Sequence, residues 1–162
     1  MERRRARALC DLRCRIFPCS FLEVTIMVTF IVVSEYSQDP PDGLGRVKIA
    51  DGPLYDLARI QALIEDESNL LAWTPKCRSD VHKYFSGDLA EVADLIERLK
   101  PSDYRDSEWC ENGKGSIAAC DAYTVRRTED VPATGKRATF GYFLKFAIAK
   151  TGALVLVVSC HS

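Results

Sequence analysis

The residues best suited to chemistry lie in the last third of the chain. Tyr123, Arg126 and Arg127 fall in one strand-like run, and Tyr142 and Lys145 in the next. A sheet that presents cations and phenols together is one way to hold a phosphodiester. Arginine offers a planar fork of donors that matches two phosphate oxygens, and an aromatic ring such as Tyr123 offers a face for an unpaired base. His161, one of 2 histidines, follows the last run, and an imidazole with its reference pKa near ~6.5 suits general acid or base work. The same spacing also fits a plain α+β domain whose charges are solvated sheet positions and whose His161 is a solvated terminus.

The elements that must position these residues follow from periodicity. Runs rich in Val, Ile, Phe and Tyr predict strands at about 117–126, 138–149 and 153–160, joined by Asp130–Lys136 and by a tight Thr151–Gly152 turn. Upstream, Leu57, Ile60, Leu63 and Ile64 make one apolar stripe over Leu54–Asp66, with Pro53 at its start. Leu89, Val92, Leu95, Ile96 and Leu99 make a second, capped by Ser86 or Asp88 and closed by Pro101. Trp73–Tyr84 reads as irregular or briefly helical, and Ser102–Glu108 as polar connection. Two helices followed by an antiparallel sheet is an α+β order.

The 162 residues suffice for one domain with an extension, and a net charge of -1 argues against a strong global field for a polyanion. The loop Asn112–Ser116 lacks the spacing of a phosphate loop. Seven cysteines include no CxxC and no pair of close-spaced Cys/His couples, which argues against a zinc ribbon; Cys160 and His161 with Cys110 or Cys120 form the one alternative to free buried thiols. No metal or cofactor is expected. Arg3, Arg4, Arg5 and Arg7 before the apolar stretch Val24–Val33 mimic an export signal, but Glu23 interrupts the stretch and no small-residue cleavage site follows. The stretch is also shorter than the ~20 residues a spanning helix needs, and its composition predicts a strand. Residues 1–46, ending in the Pro- and Gly-containing linker Ser37–Gly45, read as an extension in which Met27 offers an alternative start, and residues 47–162 as the domain. The expectation is a cytoplasmic protein without membrane contact.

Five strings in order carry a resemblance: Tyr55–Ile60, Leu99-x-Pro101-Ser102-Asp103-Tyr104, Asp121-x-Tyr123-x-x-Arg126, Phe143-Leu144-Lys145 and Val157-Val158-Ser159. Over about Leu54–Ser162 the chain resembles the MqsR (motility quorum-sensing regulator) family of bacterial toxins. The resemblance implies a RelE-like fold and a type II toxin–antitoxin system: a metal-independent endoribonuclease that cleaves mRNA and is neutralised by a cognate antitoxin protein. A metal-free ribonuclease needs a base for the ribose 2′-hydroxyl, cations for the transition state and an acid for the leaving oxygen. Lys145, Arg126, Tyr123, His161 and Tyr142 are the expected catalytic set, with Arg127 and Arg105 on substrate. The chain departs from the family where Arg105 or Asp106 replaces a lysine, Cys120 a glutamine and Phe143 a catalytic tyrosine, and where the basic tail has become Cys160-His161-Ser162. A non-catalytic interaction domain of the same fold is the alternative.

Overall fold

Residues 30–42, 45–131 and 133–162 of a computed structural model define the fold. The readings made for residues 1–29 lie outside them. The architecture is α+β, with three helices against one face of a seven-stranded mixed sheet. The strands are β1 (Ile31–Val32), β2 (Lys48–Ile49), β3 (Leu70–Ala72), β4 (Tyr104–Glu111), β5 (Ser116–Val131), β6 (Lys136–Ile148) and β7 (Val155–His161). The helices are α1 (Leu57–Ile64), α2 (Pro75–Phe85) and α3 (Ala90–Glu97). Along the sheet the order is β2-β4-β5-β6-β7-β3, with β1 beside the start of β5.

This corrects the expected order of two helices followed by an all-antiparallel sheet. The strands β1, β2 and β3 precede or interrupt the helices, and β1–β5 and β3–β7 pair in parallel. The three expected C-terminal strands are present, with β5 running five residues further than expected and β7 shifted to Val155–His161, and β4 joins them in the segment read as polar connection. Residues 31–35, assigned to the extension, belong to the sheet: Val33 N donates to Ile117 O at 2.9 Å and Glu35 N to Ile148 O at 2.8 Å. The Ser34 hydroxyl, fully buried, accepts from Ala119 N at 3.0 Å. The segment thus fills the split between the start of β5 and the end of β6.

Each helix buries the stripe its spacing dictates. Asp56 caps α1, which turns Ile60 and Ile64 inward. In α2, Thr74 caps Cys77 N, Pro75 sits at the first turn, and Cys77, Val81 and Phe85 recur every four residues into the core. Ser86 closes this helix in the left-handed region at φ 53° rather than opening α3. Asp88 Oδ1 accepts from Ala90 N at 2.9 Å and begins α3, which buries Val92, Leu95 and Ile96. Against these stripes the sheet presents Tyr123, Val125, Tyr142, Leu144, Phe146, Val155, Val157 and Cys160.

Asp121 ties the chain entering α1 to the sheet. Its fully buried carboxylate accepts from Leu54 N at 3.0 and 2.9 Å, Tyr55 N at 3.0 Å and Ser107 Oγ at 2.6 Å. The backbone before it runs so close that a Cβ on Gly52 would lie 2.1 Å from the Tyr104 hydroxyl oxygen. Removing the carboxylate strands two amides and a hydroxyl inside the protein. Asp121→Ala is expected to cost roughly 3 kcal/mol, read as a lower urea midpoint, and Asp121→Asn less because one acceptor survives. A midpoint unchanged in both variants would refute this anchoring role.

Candidate functional site

Strand register divides the expected site residues between the two faces of the sheet. Side chains alternate along a strand, and paired residues share a face. In β5 and β6 the pairs Tyr123–Leu144, Val125–Tyr142 and Arg127–Phe140 face the helices, whereas Ala122–Lys145, Thr124–Phe143 and Arg126–Gly141 face away. Tyr123, Arg126 and Lys145 therefore cannot share one ligand, and that expectation is corrected here.

The helix-facing residues are committed to structure. Tyr123 is 1% exposed, stacked on Phe146 at 5.2 Å and met edge-on by Tyr104 at 5.7 Å. Burial, then the charge of Asp121, pushes its phenol above the usual value, which removes it from proton transfer near neutrality. Tyr142 donates to Glu129 Oε1 at 2.5 Å and packs against Phe85. No bulge beside Gly141 turns it to the other face. Arg127 is gripped by Glu129 and Glu91, each at 2.7 Å, and lies 5.4 Å from the Tyr142 ring centre. Burial disfavours its charge, but Glu129 and Glu91 outweigh this and hold its pKa above the usual arginine value.

On the far face, Lys145 and His161 meet in a cleft of about 300 Å³ whose walls include Arg46, Lys76, Phe143 and Ser159. The His161 ring stacks on Phe143 with centres 5.3 Å apart, and Lys145 Nζ lies 5.3 Å from the same Phe143 centre. Phe143 is thus the floor between imidazole and ammonium, a role requiring a ring but no hydroxyl. The ammonium of Lys145 donates to Glu108, whose side chain is 2% exposed. Lys48 holds the other oxygen of Glu108 at 2.7 Å, and Arg46 approaches at 3.8 Å. Burial alone would raise the Glu108 carboxyl, but Lys145 and Lys48 prevail and keep it below the ordinary carboxylate value.

Arg105 and Arg126 meet elsewhere, in a groove of about 580 Å³ where β4 begins and β5 runs on past it, together with Arg98, Lys100, Ser102 and Thr124. The alternative site built from cysteine and histidine does not assemble. Cys160 turns toward the helices with its sulfur 3.6 Å from that of Cys77, while His161 faces the opposite way. Among the described residues no three His, Cys, Asp or Glu side chains gather to hold a metal, and the four cysteines Cys77, Cys110, Cys120 and Cys160 are free and buried. No described helix is long and apolar enough to cross a membrane. Sequence reasoning missed Glu108, Lys76 and Arg46. An acid two residues from Asp106 and next to Trp109 is the one trace that Glu108 lies in a half-buried strand.

Lys145→Ala leaves Glu108 with only Lys48 and Arg46 and is expected to cost about 3 kcal/mol. Paired with Glu108→Gln, the loss should fall well short of additive in urea unfolding. The pH dependence has a fixed sign. Glu108 has a depressed folded pKa, so its contribution is complete above the unfolded value near ~4.3 and disappears as pH falls through the lower folded value. Glu108→Gln should flatten that acid limb of stability, and strict additivity of the two substitutions would refute the pairing.

No family model matches the chain, and no curated protein or solved structure is significantly similar to it.

Proposed function

We propose that this chain acts on RNA, as a cytoplasmic, metal-independent endoribonuclease of the type II toxin kind with a RelE-like arrangement of helices on a sheet, countered by a cognate antitoxin protein. The observation that carries the reading is the cleft in which His161 stacks on Phe143 beside Lys145. Imidazole, aromatic floor and cations at one concave place are the parts that single-strand cleavage needs. His161 takes the proton of the ribose 2′-hydroxyl as its oxygen attacks phosphorus. The bond from phosphorus to the 5′-oxygen breaks, and the leaving oxygen collects a proton from water or from the imidazolium. Arg46 and Lys76, both exposed at the rim, meet the phosphate oxygens. The Phe143–His161 stack receives the base. The phenols Tyr123 and Tyr142, on the helix side, take no part.

A second reading, an RNA-binding or regulatory domain that does not cut, draws on the engagement of Lys145 by Glu108. One assay separates the two. Purified chain is incubated with end-labelled single-stranded RNA in EDTA, beside an RNA carrying a 2′-deoxy linkage at the cut site. Cleavage that leaves a cyclic phosphate, spares the 2′-deoxy linkage and falls about 10²-fold or more in His161→Asn supports the nuclease. Binding without cleavage by folded protein moves the chain to the second reading. Undiminished cleavage in His161→Asn would remove this cleft from the chemistry.

A further inference from the structure

We infer that the groove at the start of β4 is a separate subsite for the sugar–phosphate backbone of single-stranded RNA. This assignment rests on the RNA-directed reading of the chain, though not on cleavage. The groove collects Arg98, Lys100, Arg105 and Arg126 around Ser102 and Thr124. Arg98 is paired with Asp94 at 2.8 Å, but Lys100, Arg105 and Arg126 are exposed and reach no acidic partner within ion-pair distance among the described residues. The one acid in the groove, Asp103, accepts from the backbone amide of Lys100 through Oδ2 at 2.8 Å and forms no ion pair with the three cations. Three cations held in one concavity repel each other, and an anion with several oxygens relieves that repulsion.

Geometry selects an extended anion on this face. Arg105 is the extra residue of a β-bulge opposite Tyr123 and Ala122, so it stands outside the regular ladder at the step. Arg126 shares the far face with Lys145, four positions along β5 from Ala122, which pairs with Lys145. Four residues of strand rise span about 13 Å. Gly141, opposite Arg126, has no atoms within 4 Å of where a Cβ would be, so among the described residues nothing covers the far face at that point between groove and cleft. The cations lie inside a concavity and the whole chain carries a net charge of -1. A strand that can bend into the step fits better than a stiff duplex, which depends on a broad positive field.

The test is binding of a fluorescein-labelled unstructured oligoribonucleotide, followed by anisotropy as salt is varied. The double variant Arg105→Gln/Arg126→Gln replaces two exposed side chains, and an unchanged melting curve confirms its fold. The expected result is at least a tenfold loss of affinity and a salt slope shallower by about 1.4, two phosphates at ~0.7 each for a single strand. The charge-matched control Lys83→Gln/Lys114→Gln, two exposed cations that line neither groove nor cleft, should keep both affinity and slope. Equal affinity and slope in the double variant overturn the subsite while leaving cleavage to stand. Binding that is lost in the double variant by a wild type that cuts nothing sustains the subsite while the nuclease fails. Displacement of RNA by poly-glutamate at equal charge as effectively as by unlabelled RNA would assign the groove to an acidic protein segment and overturn the RNA assignment.

Discussion

Glu108 is a carboxylate inside a β-sheet, and the far face of that sheet is organised around it. Its two oxygens are divided between Lys145 from β6 and Lys48 from β2, with Asp106 sharing Lys48 at 2.8 Å. Taking such charges out of water costs several kcal/mol per ion, repaid only when the partners are fixed in place. The pair is therefore less a source of stability than a constraint. It holds the short edge strand β2 against β4, keeps Arg46 at the rim of the cleft and points the Lys145 stem across Phe143. Remove either charge and the geometry of the cleft loses its fixed point.

The helix side follows the opposite principle. There the sheet spends its polar groups on internal contacts: the Tyr142 hydroxyl on Glu129, Arg127 on Glu129 and Glu91, and Asp121 on the amides before α1. Beyond the ends of β4 and β7, β5 and β6 continue as a two-stranded ribbon, and these charge pairs fasten its base to α3. Residues that look like a nuclease's phenol and cation in a string are, in space, the means by which an overlong hairpin is tied down.

The sequence made the helical stripes of α1 and α3 legible because their apolar residues recur at helical spacing and are large. In α2 one of the three inward positions is Cys77, and the remaining face is Lys, Arg, Ser, Asp and His, so the period is faint. The strand β4 was hidden for a related reason. Its buried positions are filled by Ser107 and Glu108 as well as Trp109 and Cys110, and burial of an acid is intelligible only once Lys145 and Lys48 are placed against it. The cleft residues His161 and Lys145 were visible as types, but which of the aromatic residues joined them was a matter of strand parity.

That parity is set by two bulges, one beside each concave site. In β7, Lys145 pairs with Ser159 but Phe146 with Val157, leaving Val158 as an extra residue. Val155 and Val157 face the helices, and an unbroken alternation would send Ser159 and His161 the same way. The extra residue reverses the order, so Cys160 enters the core and His161 emerges beside Phe143. The carbonyl of Val158 is not left unpaired: the Thr74 hydroxyl that caps α2 also donates to it at 2.8 Å, and Trp73 N bonds Val157 O at 2.9 Å. In β4 the extra residue is Arg105, and the same reversal lets Tyr104 pack on Tyr123 while Asp106 and Glu108 face the other way. Neither bulge carries a glycine or any other local signal in the chain. The faces of His161 and of the side chains on either side of Arg105 are thus decided by single extra residues, whereas unbroken alternation places the candidates on β5 and β6, so a string read with strict period two goes wrong only past a bulge.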